Sequence, residues 1–507
     1  MGAPACYESL LEATREAHLI GATSAVLSWD QETMMPPGGV ELRSRQLAQL
    51  ARLQHELSTA ERVGELLSQC EADANLAADP ASPTTAALRE LRRDYSRATK
   101  LPASLVEELA KVTSIAQHEW AEARKASDFS RFEPHLKRIV ELNRQTAACF
   151  GWPKSGEVWD ALAEGYEPGC TAAQVEAVFT PLRAQLQAIL DRILGATQRP
   201  SNRFNELPLN TDTQQRFVRM VAERIGFDFN RGRLDTSTHP FCGGSHCRDV
   251  RLTTRFSPNC LLDGLGSTMH EAGHGMYEQG LPFDQCGTPL GEAVSLGIHE
   301  SQSRLWENQV GRSRAFWKWG TPQLAQFFGA AVAGIPAEEI YGAANIVEPG
   351  YIRVDADEAT YNMHIMVRFQ LERRLISGDL DPADLPEAWN ELYRVYLHLE
   401  VPDDRRGCLQ DVHWSMGAFG YFPTYTLGTL TAAQMYEAAC RDIPGLEAGF
   451  GEGQFAPLRE WLNARVHSLG RQLRPDALCR SVTGAPLSAE SFLRHLRSKL
   501  FPLYGLS

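Results

Sequence analysis

The pattern H-E-x-x-H at residues 270–274 constrains the fold most, because its chemistry requires an α-helix. Residues four apart lie on one face of a helix, so His270 and His274 can direct two imidazole nitrogens to one metal ion. Glu271 lies beside that position, where its carboxylate can take a proton from a metal-bound water. The pattern therefore predicts a helix that carries two metal ligands and the general base of metal-assisted hydrolysis. A chance match of this short pattern is the alternative.

A third ligand has to come from elsewhere in the chain, since a catalytic zinc site takes three protein ligands and keeps the fourth position open. Glu300 is the best candidate. Residues 291–307 can form a second helix, and the Gly-Leu-Pro turn at 280–282 would let that helix fold back onto the first. The alternative is a glutamate on a solvated helix face, which is the usual environment of this residue type.

The composition limits the class of protein. With 507 residues, 43% of them hydrophobic, the chain is long enough for a large core. The 50 basic and 63 acidic residues give a net charge of −13 and form no dense basic run, so we expect no nucleic-acid partner. The N-terminus lacks the basic and apolar regions of a signal peptide, and no stretch approaches about 18 uninterrupted apolar residues. We therefore expect neither secretion nor a membrane span.

The cysteines indicate the compartment. All 11 lack the spacing of a disulfide framework, which is typical of free thiols in a reducing environment and predicts a cytoplasmic protein. Cys242, His246 and Cys247 form the one cluster that is similar to a zinc knuckle. Because it lacks a second ligand pair at zinc-finger spacing, we expect no structural metal there.

Apolar residues recur at helical spacing along most of the chain, which predicts a mainly α-helical protein. Two N-terminal stripes, separated by a Pro-Pro-Gly-Gly break, predict a helical hairpin over about residues 5–57. Between residues 232 and 257 apolar and polar residues alternate, which predicts a short β-hairpin or ribbon directly before the H-E-x-x-H helix. Further helices are expected over residues 84–98, 102–126, 131–149, 172–195, 311–329, 336–344, 356–376, 386–398, 431–446, 454–468 and 488–499.

No internal repeat, low-complexity tract or long linker divides the sequence. We therefore expect a single domain over residues 1–507 with an active-site groove between two lobes. The hairpin of residues 5–57 would form part of the groove wall. The β-ribbon would either bind an extended peptide along its edge or only brace the site helix.

Two further groups of residues have the chemistry to complete a peptidase site. His413, Tyr421 and Tyr425 lie in a Gly-punctuated stretch with little charge, where they could donate to the oxyanion of a tetrahedral intermediate. Arg251 and Arg353 each lie near aspartates, and an arginine fork is the best partner for a C-terminal carboxylate. The alternatives are core aromatics with a satisfied histidine, and structural Arg–Asp pairs.

Six motifs together resemble, in order and spacing, those of the thermostable-carboxypeptidase family of metallopeptidases, often called the carboxypeptidase Taq family. They are H-P-F at 239–241, D-x-R-x-T at 249–253, H-E-x-x-H at 270–274, H-E-S-Q at 299–302, I-R-x-x-A-D at 352–357 and G-x-x-Q-D-x-H-W at 407–414. The resemblance covers essentially the full chain, and residues 29–37 are similar to the family's N-terminal hairpin. No named motif departs from the family pattern.

This resemblance implies a nearly all-α fold with a deep groove, shared in outline with neurolysin and angiotensin-converting enzyme, and a homodimer. It also implies an enzyme that removes single residues from free peptide C-termini with broad preference, using zinc or, in some members, cobalt. Carried over to this chain, the resemblance assigns His270, His274 and Glu300 to the metal, Glu271 to the general base, Arg353, Arg251 and His239 to the closed end that holds the terminal carboxylate, and His413 with Tyr421 or Tyr425 to the oxyanion.

Two alternative functions stay open. An oligopeptidase that cuts internally or releases dipeptides would use the same metal, base and oxyanion donors, and only the position of the anchoring arginine would differ. A non-catalytic metal-binding helical protein would not need Glu271 as a base.

Overall fold

The computed structural model describes residues 4–76 and 79–507. Within them the chain is mainly α-helical and contains one small sheet, which confirms the predicted fold class. The helices are α1 (Ala5–Thr33), α2 (Val40–Ser58), α3 (Glu61–Ala72), α4 (Pro83–Lys100), α5 (Ala103–Ala126), α6 (Glu133–Phe150), α7 (Val158–Ala163), α8 (Ala172–Leu194), α9 (Thr211–Ile225), α10 (Leu261–Gly280), α11 (Leu296–Arg304), α12 (Arg314–Phe328), α13 (Ala337–Ala343), α14 (Tyr361–Ser377), α15 (Leu385–Leu397), α16 (Pro423–Asp442), α17 (Leu446–Phe450), α18 (Ala456–Arg465), α19 (Pro475–Thr483) and α20 (Glu490–Leu503).

These elements divide between two compact units, and each unit is built from three segments of the chain. The first comprises Met1–Thr99, Ser201–Ala344 and Thr431–Leu487, and the second comprises Lys100–Pro200, Asn345–Leu430 and Ser488–Ser507. Because each unit draws on distant segments, no linker in the sequence marks a boundary between them. The single domain over residues 1–507 stays a prediction.

The sheet belongs to the first unit and has the strand order β1–β3–β2. Strand β2 (Cys242–His246) runs antiparallel to β3 (Asp249–Thr254), which confirms the predicted hairpin, and β1 (Gly232–Thr236) adds a parallel strand on the other side of β3. On β3, Leu252 is buried and packs against α10 at Gly275, where a Cβ atom would lie 2.8 Å from Leu252 Cδ2. The sheet therefore packs against the H-E-x-x-H helix.

Most predicted helices are confirmed, but the ends of several differ and five further helices were not predicted. Helix α11 begins at Leu296 rather than near residue 291, because the Ser295 hydroxyl accepts a hydrogen bond from the N–H of Ile298 at 3.1 Å and caps the helix there. Helix α16 begins at Pro423 rather than 431, so that Tyr425 lies in its first turn. The apolar periodicity does not predict α3, α7, α9, α17 or α19.

Helices α10 and α14 are buried along most of their length, one in each unit. Both nevertheless carry ionisable side chains: His274 and Glu271 on α10, and Arg368 and Glu372 on α14 are all buried. Because a buried polar group is costly without a partner, the neighbours of these two helices have to supply hydrogen bonds or opposite charge. Several of the candidate functional residues are among these neighbours.

Helices α10 and α11 approach each other closely at Gly273. A Cβ atom at this position would lie 2.6 Å from the carbonyl oxygen of Gln302 and 2.6 Å from Cα of Ser303. Both neighbours are backbone atoms, so they cannot move aside as the end of a flexible side chain can. Glycine at 273 therefore allows the two helices to approach within backbone contact.

Two findings bear on the environment of the chain. No helix in the described ranges has the length and apolar character to cross a membrane. All 11 cysteines lie within those ranges, and all of them are free thiols.

We expect Gly273→Ala to lower the free energy of unfolding by about 1–3 kcal/mol, because the added methyl group meets the backbone of α11 and forces one helix to shift. Gly266→Ala on the same helix is the matched control, since a Cβ atom there meets nothing within 4 Å. Alanine is favoured over glycine inside a helix by about 1 kcal/mol, so the control should be as stable as the wild type or more stable. Urea unfolding followed by circular dichroism measures both, and equal stability of the two variants would contradict close packing at Gly273.

Candidate active site

The H-E-x-x-H residues lie in the middle of α10, as predicted. His270 and His274 are one helical turn apart, with their ring centroids separated by 4.9 Å and their planes inclined at 82°. Glu271 between them is only 6% exposed. Helix geometry therefore brings two imidazole rings and a carboxyl group into one largely solvent-excluded place.

Helix α11 brings Glu300 to the two histidines. Its Oε2 atom lies 3.7 Å from Nε2 of His270 and 3.5 Å from Nε2 of His274. In the part of the chain that the structure describes, these three residues form the one group of three or more potential metal ligands whose donor atoms all lie within 4.8 Å of one another. Donors that bind one zinc ion tetrahedrally at about 2.0–2.2 Å lie roughly 3.4 Å apart, so the observed separations fit such an ion with little movement.

A second carboxylate supports the histidine pair. Oε2 of Glu307 lies 2.9 Å from Nδ1 of His270, which orients that ring so that Nε2 faces Glu300. Arg304 donates to both carboxylates, to Oε1 of Glu300 at 2.7 Å and to Oε2 of Glu307 at 3.3 Å. Arg312 donates to Oε1 of Glu307 at 3.0 Å. Arg304 thus fixes the carboxylate of Glu300, and Glu307 in turn fixes Arg304.

Glu307 and its role were not predicted from the sequence. Its seven-residue spacing from Glu300 places both on one helix face, and this spacing is the signal that the sequence contains. However, Glu307 lies in a π-helical turn, Leu305–Gly311, that continues α11. Such turns are rare and occur frequently at functional sites, and the apolar pattern does not reveal them.

Burial and neighbouring charges set the protonation of the two histidines. Burial lowers the pKa of His274 to about 3, and the His299 ring, stacked on it at 4.4 Å, acts in the same direction. Burial alone would also lower the pKa of His270, but the charge of Glu300 and the hydrogen bond to Glu307 outweigh it and raise that pKa. His274 is therefore neutral at pH 7, which is the form of imidazole that binds a metal ion.

Glu271 and Glu300 have pKa values shifted in opposite directions, although both are buried at the same site. Burial raises the pKa of Glu271 to about 7, with the charge of His270 opposing this rise and that of Glu300 adding to it. Burial would raise the pKa of Glu300 too, but the charge of Arg304 and then that of His270 reverse the effect and lower it. Glu300 is thus an ionised potential ligand, while Glu271 is poised to take up a proton.

The sheet of the first unit carries two of the predicted substrate-binding residues. Arg251 on β3 donates from Nε and Nη2 to the two oxygens of Asp249, at 2.9 and 3.0 Å. Its guanidinium carbon also lies 4.4 Å from the ring centroid of Trp29 on α1, within the range of a cation–π contact. His239 is exposed in the loop between β1 and β2. Arg251 is therefore already engaged by an aspartate and an aromatic ring.

The other predicted arginine, Arg353, lies in a buried cluster of the second unit. Its Nε and Nη2 atoms donate to Oδ1 of Asp411 at 2.9 and 2.8 Å, and Nη1 donates to the Tyr361 hydroxyl at 2.9 Å. Arg368 on α14 donates from Nε to Oδ2 of the same aspartate at 2.6 Å. Burial opposes ionisation of Asp411, but the charges of the two arginines outweigh it and lower its pKa. Neither Arg368 nor Tyr361 was predicted, because no motif spacing relates them to Asp411.

The predicted oxyanion donors lie together, also in the second unit. Nε2 of His413 is 3.1 Å from the hydroxyl of Tyr425, and the ring of Tyr421 is 5.2 Å from that of His413. Burial, followed by the charge of Arg353, lowers the pKa of His413 to about 3, so the imidazole is neutral. The Arg353 guanidinium also lies 5.0 Å from the ring centroid of Tyr425. Three donors that were predicted separately from Arg353 thus form one cluster with it.

Comparison with known proteins agrees with the motifs. The family model described as carboxypeptidase Taq (M32) metallopeptidase matches residues 9–500. Thermostable carboxypeptidase 1 of Thermus thermophilus is 44% identical over 508 residues, which cover 99% of each chain. Carboxypeptidase 1 of Bacillus subtilis is 32% identical over 482 residues, which cover 95% of each chain.

Solved structures show the same relationship. A carboxypeptidase from Deinococcus radiodurans superposes with a TM-score of 0.95 at 40% identity, covering 99% of this chain and 100% of the other. A Pyrococcus furiosus carboxypeptidase gives a TM-score of 0.94 at 35% identity, covering 98% and 99%. The resemblance inferred from the six motifs is confirmed over the whole chain. The chain therefore belongs to the carboxypeptidase Taq family of metallopeptidases and is a metallocarboxypeptidase, an enzyme that hydrolyses peptide bonds.

Proposed function

We propose that this enzyme releases single residues from the free C-terminus of peptides with broad preference, and that it uses a zinc ion held by His270, His274 and Glu300. The observation that carries the proposal is the convergence of three donor atoms from α10 and α11, with Glu300 at 3.7 and 3.5 Å from the two imidazoles. Three protein ligands are the number that a catalytic zinc site uses. Cobalt can bind the same donors.

The donors fit a divalent cation by their chemistry as well as by their spacing. Nδ1 of His270 is held by Glu307, which leaves Nε2 for the ion. His274 is buried and neutral, and its Nε2 atom faces Oε2 of Glu300 at 3.5 Å, so its lone pair can bind the ion. When bound, the ion would polarise the scissile carbonyl and make water more acidic.

Glu271 is the general base in this proposal. It follows His270 directly on α10 and is almost fully buried, and its carboxyl group is close enough to His270 and Glu300 for their charges to act on its pKa. In that position Glu271 takes a proton from the attacking water and later gives it to the leaving amine. Burial supports this role, because a proton held in a dry site is not lost to solvent.

Arg353 is the proposed partner of the terminal carboxylate. Asp411 lies between two guanidinium groups and neutralises only one of their two charges. Arg353 is 6% exposed, and an uncompensated buried charge is costly, so a peptide carboxylate that reaches the cluster would be bound strongly. Arg251, which Asp249 already pairs, and the exposed His239 are proposed as secondary substrate contacts.

His413 and Tyr425 are the proposed oxyanion donors, with Tyr421 as the alternative hydroxyl. In the Nε2–H tautomer, His413 donates to the Tyr425 hydroxyl oxygen at 3.1 Å, which orients the tyrosine and leaves its O–H to donate to the oxyanion. Donors that are oriented in advance stabilise the charge of the transition state without reorganising during the reaction.

The product pattern tests this function directly. We expect unblocked peptides to yield a ladder shortened by one residue at a time from the free C-terminus, and we expect no ladder from C-terminally amidated peptides or after chelation of the metal. Mass spectrometry of timed samples measures the products. Steps of two residues would identify a dipeptidyl carboxypeptidase and internal fragments an oligopeptidase, and either result would contradict the proposal.

Glu271→Gln is the control variant for the same experiment. The amide keeps the shape of the side chain but cannot take a proton, so the variant should retain one zinc ion per chain and lose about 10²- to 10⁴-fold in kcat. Elemental analysis measures the metal. A wild-type enzyme that holds zinc and cleaves no peptide would support the non-catalytic alternative instead.

We expect Arg353→Ala to cost about 2–4 kcal/mol in kcat/KM for free-acid peptides, because it removes a desolvated partner of the terminal carboxylate. Its metal content should not change. Arg406→Ala is the matched control, since Arg406 also pairs with an aspartate, Asp403, but on the surface of the same unit. Equal kcat/KM in the two variants would remove Arg353 from the site.

We further propose a cytoplasmic homodimer. The free state of all 11 cysteines supports a reducing compartment, and the family resemblance supports the dimer. Light scattering from the purified enzyme should give twice the mass of one chain. A single-chain mass at micromolar concentration would contradict the dimer.

A further inference from the structure

Helix α14 carries a buried carboxyl group that none of the roles above uses. Glu372 has 0% of its surface exposed, and both of its oxygens accept hydrogen bonds. Oε1 accepts from the indole N–H of Trp414 at 3.0 Å, while Oε2 accepts from the indole N–H of Trp159 at 3.1 Å and from the backbone N–H of Gly420 at 3.0 Å. Among the described residues, no arginine or lysine forms an ion pair with Glu372. Three N–H donors therefore hold the carboxylate, and the charge of Arg368, which forms no ion pair with it, also favours its ionised form.

The hydrogen-bond geometry favours a carboxylate over an amide at this position. An ionised carboxylate accepts hydrogen bonds at both oxygens, whereas a glutamine presents an NH₂ group at one end. Because the donors of Glu372 approach both ends, a glutamine would direct its NH₂ group at an indole N–H or at the backbone N–H of Gly420. Burial raises the pKa of Glu372 to about 7, and the hydrogen bonds from Trp414, Trp159 and Gly420 favour the ionised form against burial.

Two of the three donors belong to one short segment, residues 413–421. Trp414 directly follows His413, and Gly420 directly precedes Tyr421, so the carboxylate holds both ends of the segment. Gly420 has φ of +91°, and a Cβ atom there would lie 2.7 Å from the backbone nitrogen of Ala163. The end of the segment is therefore pressed against α7 as well as bonded to Glu372.

The fixed end of the segment is coupled to Tyr425 by a tight turn. The backbone N–H and the hydroxyl of Thr424 both donate to the carbonyl of Tyr421, at 3.1 and 2.7 Å, and the N–H of Tyr425 donates to the carbonyl of Phe422 at 3.2 Å. A shift of the Gly420 amide would therefore displace the start of α16. It would also change the contact between Tyr425 and His413.

We propose that Glu372 is a positioning residue for the oxyanion donors His413 and Tyr425, acting through the segment 413–421. This inference rests on the proposed function, because it assumes that these two residues stabilise the oxyanion. Glu372 does not touch the substrate. Its carboxylate determines where the two donors lie by holding Trp414 at one end of the segment and Gly420 at the other.

Glu372→Gln in the full-length, zinc-loaded enzyme tests the proposal. We expect faster amide hydrogen exchange in residues 413–421 and a fall in kcat of about 10- to 100-fold, with KM and zinc content nearly unchanged, because the oxyanion is absent from the bound substrate and develops only during the reaction. Trp159→Phe is the matched control. It removes the donor to Glu372 that lies outside the segment, so it should leave both kcat and the exchange of residues 413–421 near their wild-type values.

A double variant separates positioning from general loss of packing. If Glu372 acts through His413, then adding Glu372→Gln to a His413→Gln enzyme should lower kcat much less than adding it to the wild type. Additive effects would overturn the proposal. If Glu372→Gln does not fold, Trp414→Phe removes the donor from the segment alone and should produce the same changes in exchange and kcat.

The outcomes also distinguish this inference from the proposed function. Hydrogen exchange does not depend on substrate, so unchanged exchange in residues 413–421 of Glu372→Gln overturns the inference even if the one-residue ladder is observed. Faster exchange with an unchanged kcat overturns it too. Absence of the ladder from the wild-type enzyme overturns the proposed function, and with it the catalytic part of the inference.

Discussion

The close approach of α10 and α11 at Gly273 allows the three potential metal ligands to come together. The two imidazoles of α10 are related by helix geometry, but the carboxylate of Glu300 comes from a different helix and has to lie within about 0.5 Å of its productive position. Backbone contact at Gly273 sets the separation of the two helices without an intervening side chain. The polar residues around α11 then need only orient Glu300, because the helix itself is already in place.

Burial of charge is the second constraint, and the two units meet it differently. In the first unit, Arg304 bridges the carboxylates of Glu300 and Glu307, while His274 stays neutral, which is an arrangement suited to receive a cation. In the second unit, Asp411 lies between two arginines, one of them Arg353, and leaves one positive charge in excess, which suits an anion. Glu372 shows a third solution, in which three N–H donors bind a carboxylate that forms no ion pair.

How much of the site could be predicted from the sequence depends on how far apart the interacting residues lie along the chain. The H-E-x-x-H pair and the helices depend on contacts within a few turns, and the apolar period reveals them. The partner of His270, Glu307, depends on a π-helical turn, and the partners of Glu372, Trp159 and Trp414, are separated from it by 213 and 42 positions. No local spacing relates such residues, so their hydrogen bonds become visible only when the chain has folded. Glu300 lies between these extremes, because a turn and a second helix were enough to propose it.

By itself, the sequence determined that a helix would carry His270 and His274 on one face with Glu271 beside them, because residues four apart share a face in any α-helix. The tertiary structure alone decided how closely Glu300 approaches that pair and which groups surround it. It also decided that Arg353 shares Asp411 with a second arginine. Protonation states and charge balance depend on burial and on neighbours from distant segments, and these are properties of the packed chain rather than of any short stretch of it.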